Sequence, residues 1–195
     1  MATRRDPAPG PLELVRAFVN TYDVESGADR LATPEALREW MGERGLLDAD
    51  PITEADRRRT AEVREALRSL LLGNTGEPLD TTSVAVLNRA AADARLVLGF
   101  HADGRSDLEP DARGVDRAFG SLLAAVFTSM VDGSWERLKA CLNDECRWAF
   151  YDHSKNRSGK WCTMAVCGNR MKARAYRERH AEPAPRPASP RRETA

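Results

Sequence analysis

Four cysteines in the last third of the chain constrain its fold more than any other feature of the sequence. They form two equally spaced pairs, C-x4-C-x15-C-x4-C, at Cys141, Cys146, Cys162 and Cys167, and the other 191 of the 195 residues include no cysteine. Each close pair can chelate a metal from one loop, and two pairs complete a tetrahedron. The spacing therefore predicts a structural zinc ion held by all four cysteines.

Two disulfides or an iron–sulfur cluster would use the same cysteines. Disulfides are disfavoured because the first residues lack the apolar segment of a signal peptide, so we expect a cytoplasmic protein. An iron–sulfur cluster also accepts four thiolates and stays open here. His153 could replace one cysteine, although a loop histidine is more often solvated. Four thiolates leave no open coordination position, so we expect no catalytic metal.

The net charge of zero conceals an uneven distribution along the chain. Residues 136–180 contain eleven Lys/Arg and five Asp/Glu, whereas residues 1–135 contain 16 basic and 23 acidic residues. A basic C-terminal module beside an acidic body is typical of a protein that meets an anionic partner. No apolar run approaches the roughly 20 residues that cross a bilayer, so we expect no membrane partner.

Apolar periodicity predicts a mainly α protein with a small β component. We expect an N-terminal helical domain over residues 11–133 and a small zinc-finger module, a β-hairpin and a helix, over 134–180. The Pro/Ala/Arg-rich ends, 1–10 and 181–195, are predicted to be disordered. Helices are expected to begin at Thr33, at Thr53 and at Thr82 or Ser83, and the apolar run 96–100 is expected to form a strand.

Within the finger, the pattern predicts a short helix from Ser134 through Ala140 that leads to Cys141. The alternating stretch 148–152 is predicted to pair with 161–164 across the polar loop 153–160. Trp148, Phe150 and Trp161 are interpreted as a small core around the metal rather than as platforms for stacked bases, because so small a module has little else to bury.

The segment after Cys167 predicts a basic helix over 170–179. Asn169 stands at its expected start, where a capping role is favoured over a base contact. Gly168 is interpreted as a permissive backbone position near the metal. A solvated helix face is the plain alternative, but the charge balance favours contact with nucleic acid. The candidate residues for that contact are Asn169, Arg170, Lys172, Arg174 and Arg177.

Residues 137–179 resemble a CGNR zinc finger, a family named after the tetrapeptide found here at 167–170. The preceding region resembles the ABATE domain that usually accompanies this finger, through Phe-Val-Asn-Thr at 18–21, the 31–37 stretch and Arg-Glu-Ala-Leu at 64–67. The resemblance implies a bacterial, stress-related transcription regulator whose four cysteines bind zinc. One departure is Gly159-Lys160, where the family usually has two basic residues before Trp-Cys.

The leading hypothesis is a DNA-binding transcription regulator with an N-terminal sensing or dimerisation domain, which is compatible with a homodimer. The alternative is a zinc-stabilised module that binds protein or RNA without sequence-specific DNA binding. An enzyme is not expected, because the chain has three histidines and none of the common catalytic or nucleotide-binding motifs. A small-molecule effector would use Asn20, Thr21 and Asp23, although these residues more simply end the first helix.

Overall fold

The computed structural model of the protein describes residues 6–47 and 50–180, and within these ranges it contains six α-helices and four short strands. These ranges also contain a 3-10 turn, Trp135–Arg137, and a π-helical turn, Met164–Gly168. The mainly helical class with a small β component is confirmed. The elements are α1 (Leu12–Val19), α2 (Pro34–Gly42), α3 (Glu54–Gly73), α4 (Thr81–Ala94), β1 (Leu96–Phe100), β2 (Ser106–Pro110), α5 (Gly114–Val131), β3 (Leu138–Ala140), β4 (Ala149–Tyr151) and α6 (Asn169–His180).

Side-chain caps fix the beginnings of three helices. The Thr33 hydroxyl caps α2, and Thr53 forms a reciprocal capping box at the start of α3. The cap of α4 differs from the prediction: the Asp80 carboxylate accepts the backbone N–H groups of Thr82 and Ser83. The carboxylate of the residue before the helix accepts two of its unpaired N–H donors, which the hydroxyls of Thr82 and Ser83, inside the first turn, cannot do.

The sequence predicts disorder at both ends of the chain. Ala8, within the first predicted segment, is buried, and its N–H donates to the Glu13 carboxylate at 2.7 Å. Disorder is therefore wrong at this position. Residues 1–5 and the predicted tail 181–195 lie outside the described residues.

One hydrophobic core joins the helices. Helices α1, α3 and α5 contribute most of its side chains, and α5 is the most buried of them. Its 18 residues have the length and apolar composition of a membrane span, but half of that window is buried inside the protein. A helix of this kind is also found at the centre of ordinary globular domains. The largest fully buried side chains are Phe18, Leu31, Leu37, Met41, Leu67, Leu71, Phe119, Leu122 and Leu138.

The antiparallel hairpin β1–β2 lies against α5, which it contacts through β2. The expected strand 96–100 is confirmed, and Leu98 pairs with Leu108 at its centre. The hairpin comes close to α5 at Gly120, where a Cβ atom would lie 2.5 Å from Cβ of Pro110 and 2.9 Å from Cβ of Ala94. Glycine at this position therefore permits the approach.

The second hairpin, β3–β4, belongs to the same core as the helices. Leu138, Ala140 and Ala149 are fully buried and cluster with the apolar side chains of α1, α3 and α5. Strand β3 packs on α3 and β4 packs on α1. The first half of the cysteine-rich segment is thus built on the helical domain.

Polar side chains of the helical domain complete this junction. The Asn20 amide donates to the Ala149 carbonyl at 2.9 Å, and its oxygen accepts the Ala149 N–H at 2.8 Å, so it pairs with the outer edge of β4 as a neighbouring strand would. Asn74 donates to the carbonyls of Trp135 and Leu138, and Thr75 donates to that of Ala140. Each bond satisfies a backbone group that has little access to water.

Two buried arginines of α3 hold the segment between α1 and α2. Arg64 forms a bidentate ion pair with Asp29, in which its two terminal nitrogens lie 2.7 and 2.8 Å from the two carboxylate oxygens. Burial alone would raise the pKa of Asp29, but the hydrogen bonds from Arg64 lower it below its ordinary value. Arg68 donates to the carbonyls of Val19 and Arg147, so one guanidinium joins the helical domain to the cysteine loop.

Two predictions for the finger are wrong. No helix connects Ser134 to Cys141; the 3-10 turn ends at Arg137 and the chain continues as β3. Strand β4 pairs with Leu138–Ala140 and not with 161–164. The apolar residues after Trp135 therefore follow strand geometry, because α3 and α1 offer them a buried surface on which to pair.

Asn20→Ala tests whether this junction stabilises the whole protein. The variant leaves both backbone groups of Ala149 buried without partners, so we expect a loss of about 2–4 kcal/mol in the free energy of unfolding. Chemical denaturation of the metal-loaded protein measures this loss. The matched control is Asn88→Ala on the exposed side of α4, where a change within about 0.5 kcal/mol is expected. Equal effects of the two substitutions would contradict the role of Asn20.

Candidate metal centre

The first cysteine pair lies in the loop that joins β3 to β4. The N–H of Cys141 donates to the Trp148 carbonyl at 3.0 Å, which closes the loop. Inside it, the Asn143 carbonyl accepts the N–H groups of Cys146 at 2.8 Å and of Arg147 at 3.0 Å. Arg147 has a φ of 48°, so the chain reverses sharply after the second cysteine. The core under β3 and β4 thus fixes where both sulfurs lie.

The second cysteine pair comes from the segment that leads into α6. Cys162 is half-buried, and Cys167 is buried inside the π-helical turn. The N–H of Leu142 donates to the Lys160 carbonyl at 3.0 Å, which attaches this segment to the first loop. The wide turn, in which Gly168 N–H donates to the Thr163 carbonyl at 3.1 Å, directs the Cys167 side chain inward.

The four sulfurs form one compact cluster. All four lie within 4.8 Å of one another, and Cys162 is 3.7 Å from Cys146 and 3.6 Å from Cys167. A tetrahedral ion with ligands at ~2.3 Å needs sulfurs about 3.8 Å apart, so the cluster fits one such ion. The sulfurs are too far apart for a disulfide, which is ~2.05 Å long, and the four cysteines are free. The geometry is that of four reduced cysteines and fits a metal site better than two disulfides.

The ionisation of the cluster also suits a cation. Hydrogen bonds from the Cys146 and Cys162 thiols lower the pKa of Cys141 to about 4, with help from the backbone N–H groups of Cys162 and Asn143. Hydrogen bonding to Cys141 and Cys146, together with burial, raises the pKa of Cys162. Successive thiolates at these distances repel one another, and a divalent ion offsets that repulsion.

The surroundings of the cysteines are apolar on one side and polar on the other. Trp148 and Trp161 pack against the cluster, so the predicted small core is confirmed for these two residues. Phe150 is buried in β4 but is not part of this cluster. The Asn143 amide donates to Cys167 Sγ at 3.7 Å, and a hydrogen bond of this kind orients a thiolate toward a metal. His153 is exposed and stacks edge-on against Tyr151, and it is not a member of the ligand cluster.

A buried ion pair holds the loop between the cysteine pairs. Lys139 Nζ contacts the Asp152 carboxylate at 2.9 Å and also donates to the Gly159 carbonyl. Burial would raise the pKa of Asp152, but hydrogen bonds from Ser154, from Lys139 and from the Gly159 N–H hold it well below its ordinary value. The pair fixes the loop, and with it the approach to Cys162.

This ion pair also accounts for the glycine at the departure from the family pattern. A Cβ atom at Gly159 would lie 2.8 Å from the Asp152 carboxylate, which is held in place from three sides. A basic side chain therefore does not fit at this position of the chain. Lys160, the next residue, is exposed.

Helix α6 carries the predicted nucleic-acid-binding residues away from the body of the protein. No residue of α6 is buried, and its main contacts are with the π-helical turn that holds Cys167. Arg170 and Arg174 each form an exposed ion pair, with Glu25 at 2.6 Å and with Glu178 at 3.0 Å. Lys172 and Arg177 have no ionic partner within residues 6–47 and 50–180. The described structure thus places all four cations at the surface.

Asn169 and Gly168 have roles that differ from those predicted. The helical chain begins before Asn169, at the π-helical turn, and Asn169 donates its amide to the Ala165 carbonyl at 3.1 Å. The capping prediction is therefore wrong, because a π-helical turn continues into α6 without a break. Gly168 has an ordinary helical backbone, and the Met164 side chain fills the space where its Cβ would lie.

The polar residues suggested for an effector take part in local structure. Asn20 binds Ala149 as described, Thr21 donates to the Phe18 carbonyl and accepts from Arg64, and Asp23 accepts two N–H groups in the following turn. Sequence reasoning missed the residues that join the two halves of the molecule. Their only sequence signal was an isolated polar residue at the end of an apolar helical stripe.

Comparison with protein families agrees with this arrangement. Residues 12–133 match the ABATE family model, described as "Putative stress-induced transcription regulator", which covers more than half of the chain. The chain belongs to the ABATE family. In this ABATE protein, residues 137–180 match the CGNR zinc finger, whose range contains all four cysteines. A search of curated proteins found no match to the chain.

Removing the metal from this ABATE protein is expected to release residues 161–180 while the β3–β4 hairpin stays on the helical domain. Cys162 and Cys167 have no such hairpin beneath them, and α6 buries nothing that would hold it. Circular dichroism with added chelator should show the loss of about one short helix, and amide exchange should locate it. Loss of all helical signal together would contradict this order. A Cys162→Ser variant should release the same segment without a chelator. Ser158→Ala, a substitution in the neighbouring loop, is its control and should leave the segment folded.

Asp152→Asn is expected to destabilise the protein by about 3 kcal/mol, because it leaves the Lys139 ammonium buried without its counter-charge. The pKa of folded Asp152 lies below its ordinary value. Its contribution is therefore complete above about pH 4 and is lost as the pH falls further, so the two unfolding curves should converge in acid. Glu136→Gln removes the exposed pair with Arg157 and should change stability little. An equally small effect of Asp152→Asn would contradict the role of the buried pair.

Proposed function

We propose that this ABATE protein is a cytoplasmic bacterial transcription regulator. In this proposal a zinc ion bound by the four cysteines positions helix α6, and α6 binds duplex DNA. The observation that carries the proposal is an exposed basic helix that begins at a buried four-cysteine cluster and makes few other contacts. Such a helix is positioned by the metal and is free on its remaining sides. The family description supports the same class of function.

Zinc is the metal that fits the cluster best. Its preferred site is a closed tetrahedron of thiolates, and the sulfur separations match that geometry. An iron–sulfur cluster with several irons needs room for metal and sulfide atoms between the thiolates, and four sulfurs within 4.8 Å of one another do not leave it. When bound, zinc supplies a structural cross-link. The proposal assigns no catalytic step to it or to any residue.

The basic side chains of α6 divide into two groups. Arg170, Arg174 and Arg177 follow one another at intervals of four and three residues and share a face, whereas Lys172 and Arg179, seven residues apart, lie on another. A helix in the major groove meets phosphates on both sides, and arginine also suits guanine. The exposed pairs of Arg170 with Glu25 and of Arg174 with Glu178 are weak in water, so phosphates can replace the carboxylates.

The loop between the cysteine pairs adds exposed positive charge to the module, whereas the carboxylates that act on Arg170 and Arg174 from outside α6 are those of Glu25, Asp144 and Glu145. Lys155 and Lys160 are exposed in the loop between the cysteine pairs. Phosphate contacts from this loop would give a footprint longer than α6 itself. The aromatic side chains of the finger are engaged with the metal cluster and the core, and Tyr176 stacks on His180 with ring centres 4.1 Å apart. Base stacking of single strands, a common mode of RNA recognition, therefore has few platforms here.

Binding to duplex DNA across salt concentrations tests the proposal. We expect affinity to fall steeply between roughly 50 and 200 mM salt, because cations on the DNA are released by phosphate contacts. Replacing Arg174 and Arg177 by alanine should reduce the slope of log affinity against log salt by about two. Fluorescence anisotropy with a labelled mixed-sequence duplex measures both quantities.

The matched control is Arg89→Ala, which removes an exposed arginine of α4 outside the finger. Its slope should equal that of the unchanged protein. No duplex binding at low salt would contradict the proposal. Binding to single-stranded RNA with higher affinity than to the duplex would favour the RNA-interaction alternative. Elemental analysis of the same sample should find one zinc per chain.

A further inference from the structure

The two edges of the β1–β2 hairpin are unequal. Strand β2 contains Asp107 and Glu109 and ends in Pro110, and such residues keep an edge from pairing with other strands. Strand β1, Leu-Val-Leu-Gly-Phe, contains neither a charge nor a proline. The sequence thus protects one edge of this two-stranded sheet and leaves the other open.

The backbone of β1 has unused hydrogen-bonding groups along this open edge. Bonds of His101 N–H to Arg105 and of Asp111 N–H to Arg95 lie at the two ends of the hairpin. Antiparallel pairs alternate, so the intervening odd-numbered residues also bond to β2. The N–H and C=O groups of Leu96, Leu98 and Phe100 consequently point away from β2. In the described part of the chain, no other element pairs with them.

Large apolar side chains accompany this edge. Leu98 is 56% exposed and Phe100 is 80% exposed. On α5, Phe127 and Val131 are 55% and 73% exposed and continue the helical stripe that begins at Gly120, which faces the hairpin. We call Leu98, Phe100, Phe127 and Val131 the β1 patch. Apolar surface of this kind on one side of a domain marks an interaction site.

We propose that β1 pairs antiparallel with β1 of a second copy of this chain, with Leu98 at the two-fold axis. In this register Leu98 faces its counterpart and Leu96 faces Phe100, so all three outward residues of each strand exchange backbone hydrogen bonds. An uncharged strand can pair with itself without placing like charges opposite each other. A symmetric contact of this kind closes after two subunits.

The charges that flank β1 favour the same partner. The register places Arg95 opposite His101 of the second copy, whose imidazole contacts the Asp107 carboxylate at 2.7 Å. Arg95 is exposed and forms an ion pair with Asp111 of its own chain at 3.6 Å. Each end of the paired strands therefore brings the Arg95–Asp111 pair near the His101–Asp107 pair, so that carboxylates accompany both basic groups.

The resulting sheet has four strands in the order β2, β1, β1, β2. A two-stranded sheet is marginal alone, and four strands with an apolar face are stable. With strands ~4.8 Å apart, the two α5 helices lie about 14 Å from each other on one face of the sheet. Helices in direct contact are only 8–10 Å apart, so a groove remains between them. The eight side chains of the two β1 patches fill it.

The oligomeric state of the full-length, zinc-loaded protein without nucleic acid tests this inference. Sedimentation equilibrium should give a mass near twice 21.6 kDa at about 10 μM. Leu98→Lys should weaken association at least ~100-fold, because like charges would face each other at the axis. The matched control Leu79→Lys changes an equally exposed leucine outside the patch and should remain dimeric.

A backbone variant separates strand pairing from a general effect of charge. Leu98→Pro removes an N–H that is not used within the hairpin, so the monomer should fold, and circular dichroism checks this. It should nevertheless be monomeric. In the unchanged protein, the amides of Leu96, Leu98 and Phe100 should exchange slowly with solvent. A monomer at 100 μM, a dimer that persists in folded Leu98→Lys, or fast exchange of these amides would each overturn the inference. Duplex binding is not part of this experiment, so its outcome is independent of the proposed DNA function.

Discussion

The paired hydrogen bonds between the Asn20 amide and the backbone of Ala149 join the two halves of this molecule. A side chain that donates and accepts in one plane takes the place of a neighbouring strand, and so lets a three-residue strand lie buried beside α1. Arg68, Asn74 and Thr75 repeat this logic around the rest of the hairpin. The position of Cys141 and Cys146 follows from these bonds, because both lie in the loop that the buried strands support.

The metal centre therefore combines ligands with different supports. The first pair rests on a core of helices, whereas the second pair belongs to a segment held by the ion pair of Lys139 and Asp152 and by a few backbone bonds. Beyond the second pair, α6 depends on the π-helical turn for its direction. The basic side chains of α6 therefore point in a direction that is set by the cysteine cluster and by the turn before the helix.

Sequence patterns predicted what local chemistry decides and missed what distant contacts decide. The cysteine spacing predicted a ligand cluster, and the cap at Thr53 predicted the start of α3 correctly, because both depend on residues close in sequence. The predicted pairing partner of β4 was wrong, because the choice between 138–140 and 161–164 depends on the surface that α1 and α3 offer. The role of Asn20 depends on a residue 129 positions away, and no local rule connects them. Asn169 matched a capping rule, but the wide turn before it extended the helix.

The unequal support of the two cysteine pairs has a consequence for how the metal enters. The folded helical domain already presents Cys141 and Cys146, so an incoming ion meets a preformed bidentate site before the second cysteine pair is in place. The second pair then joins from a short tether, at an effective concentration far above that of free thiols in solution. We therefore expect the ion to be captured by the first pair and then by the second, so that the direction of α6 is set last.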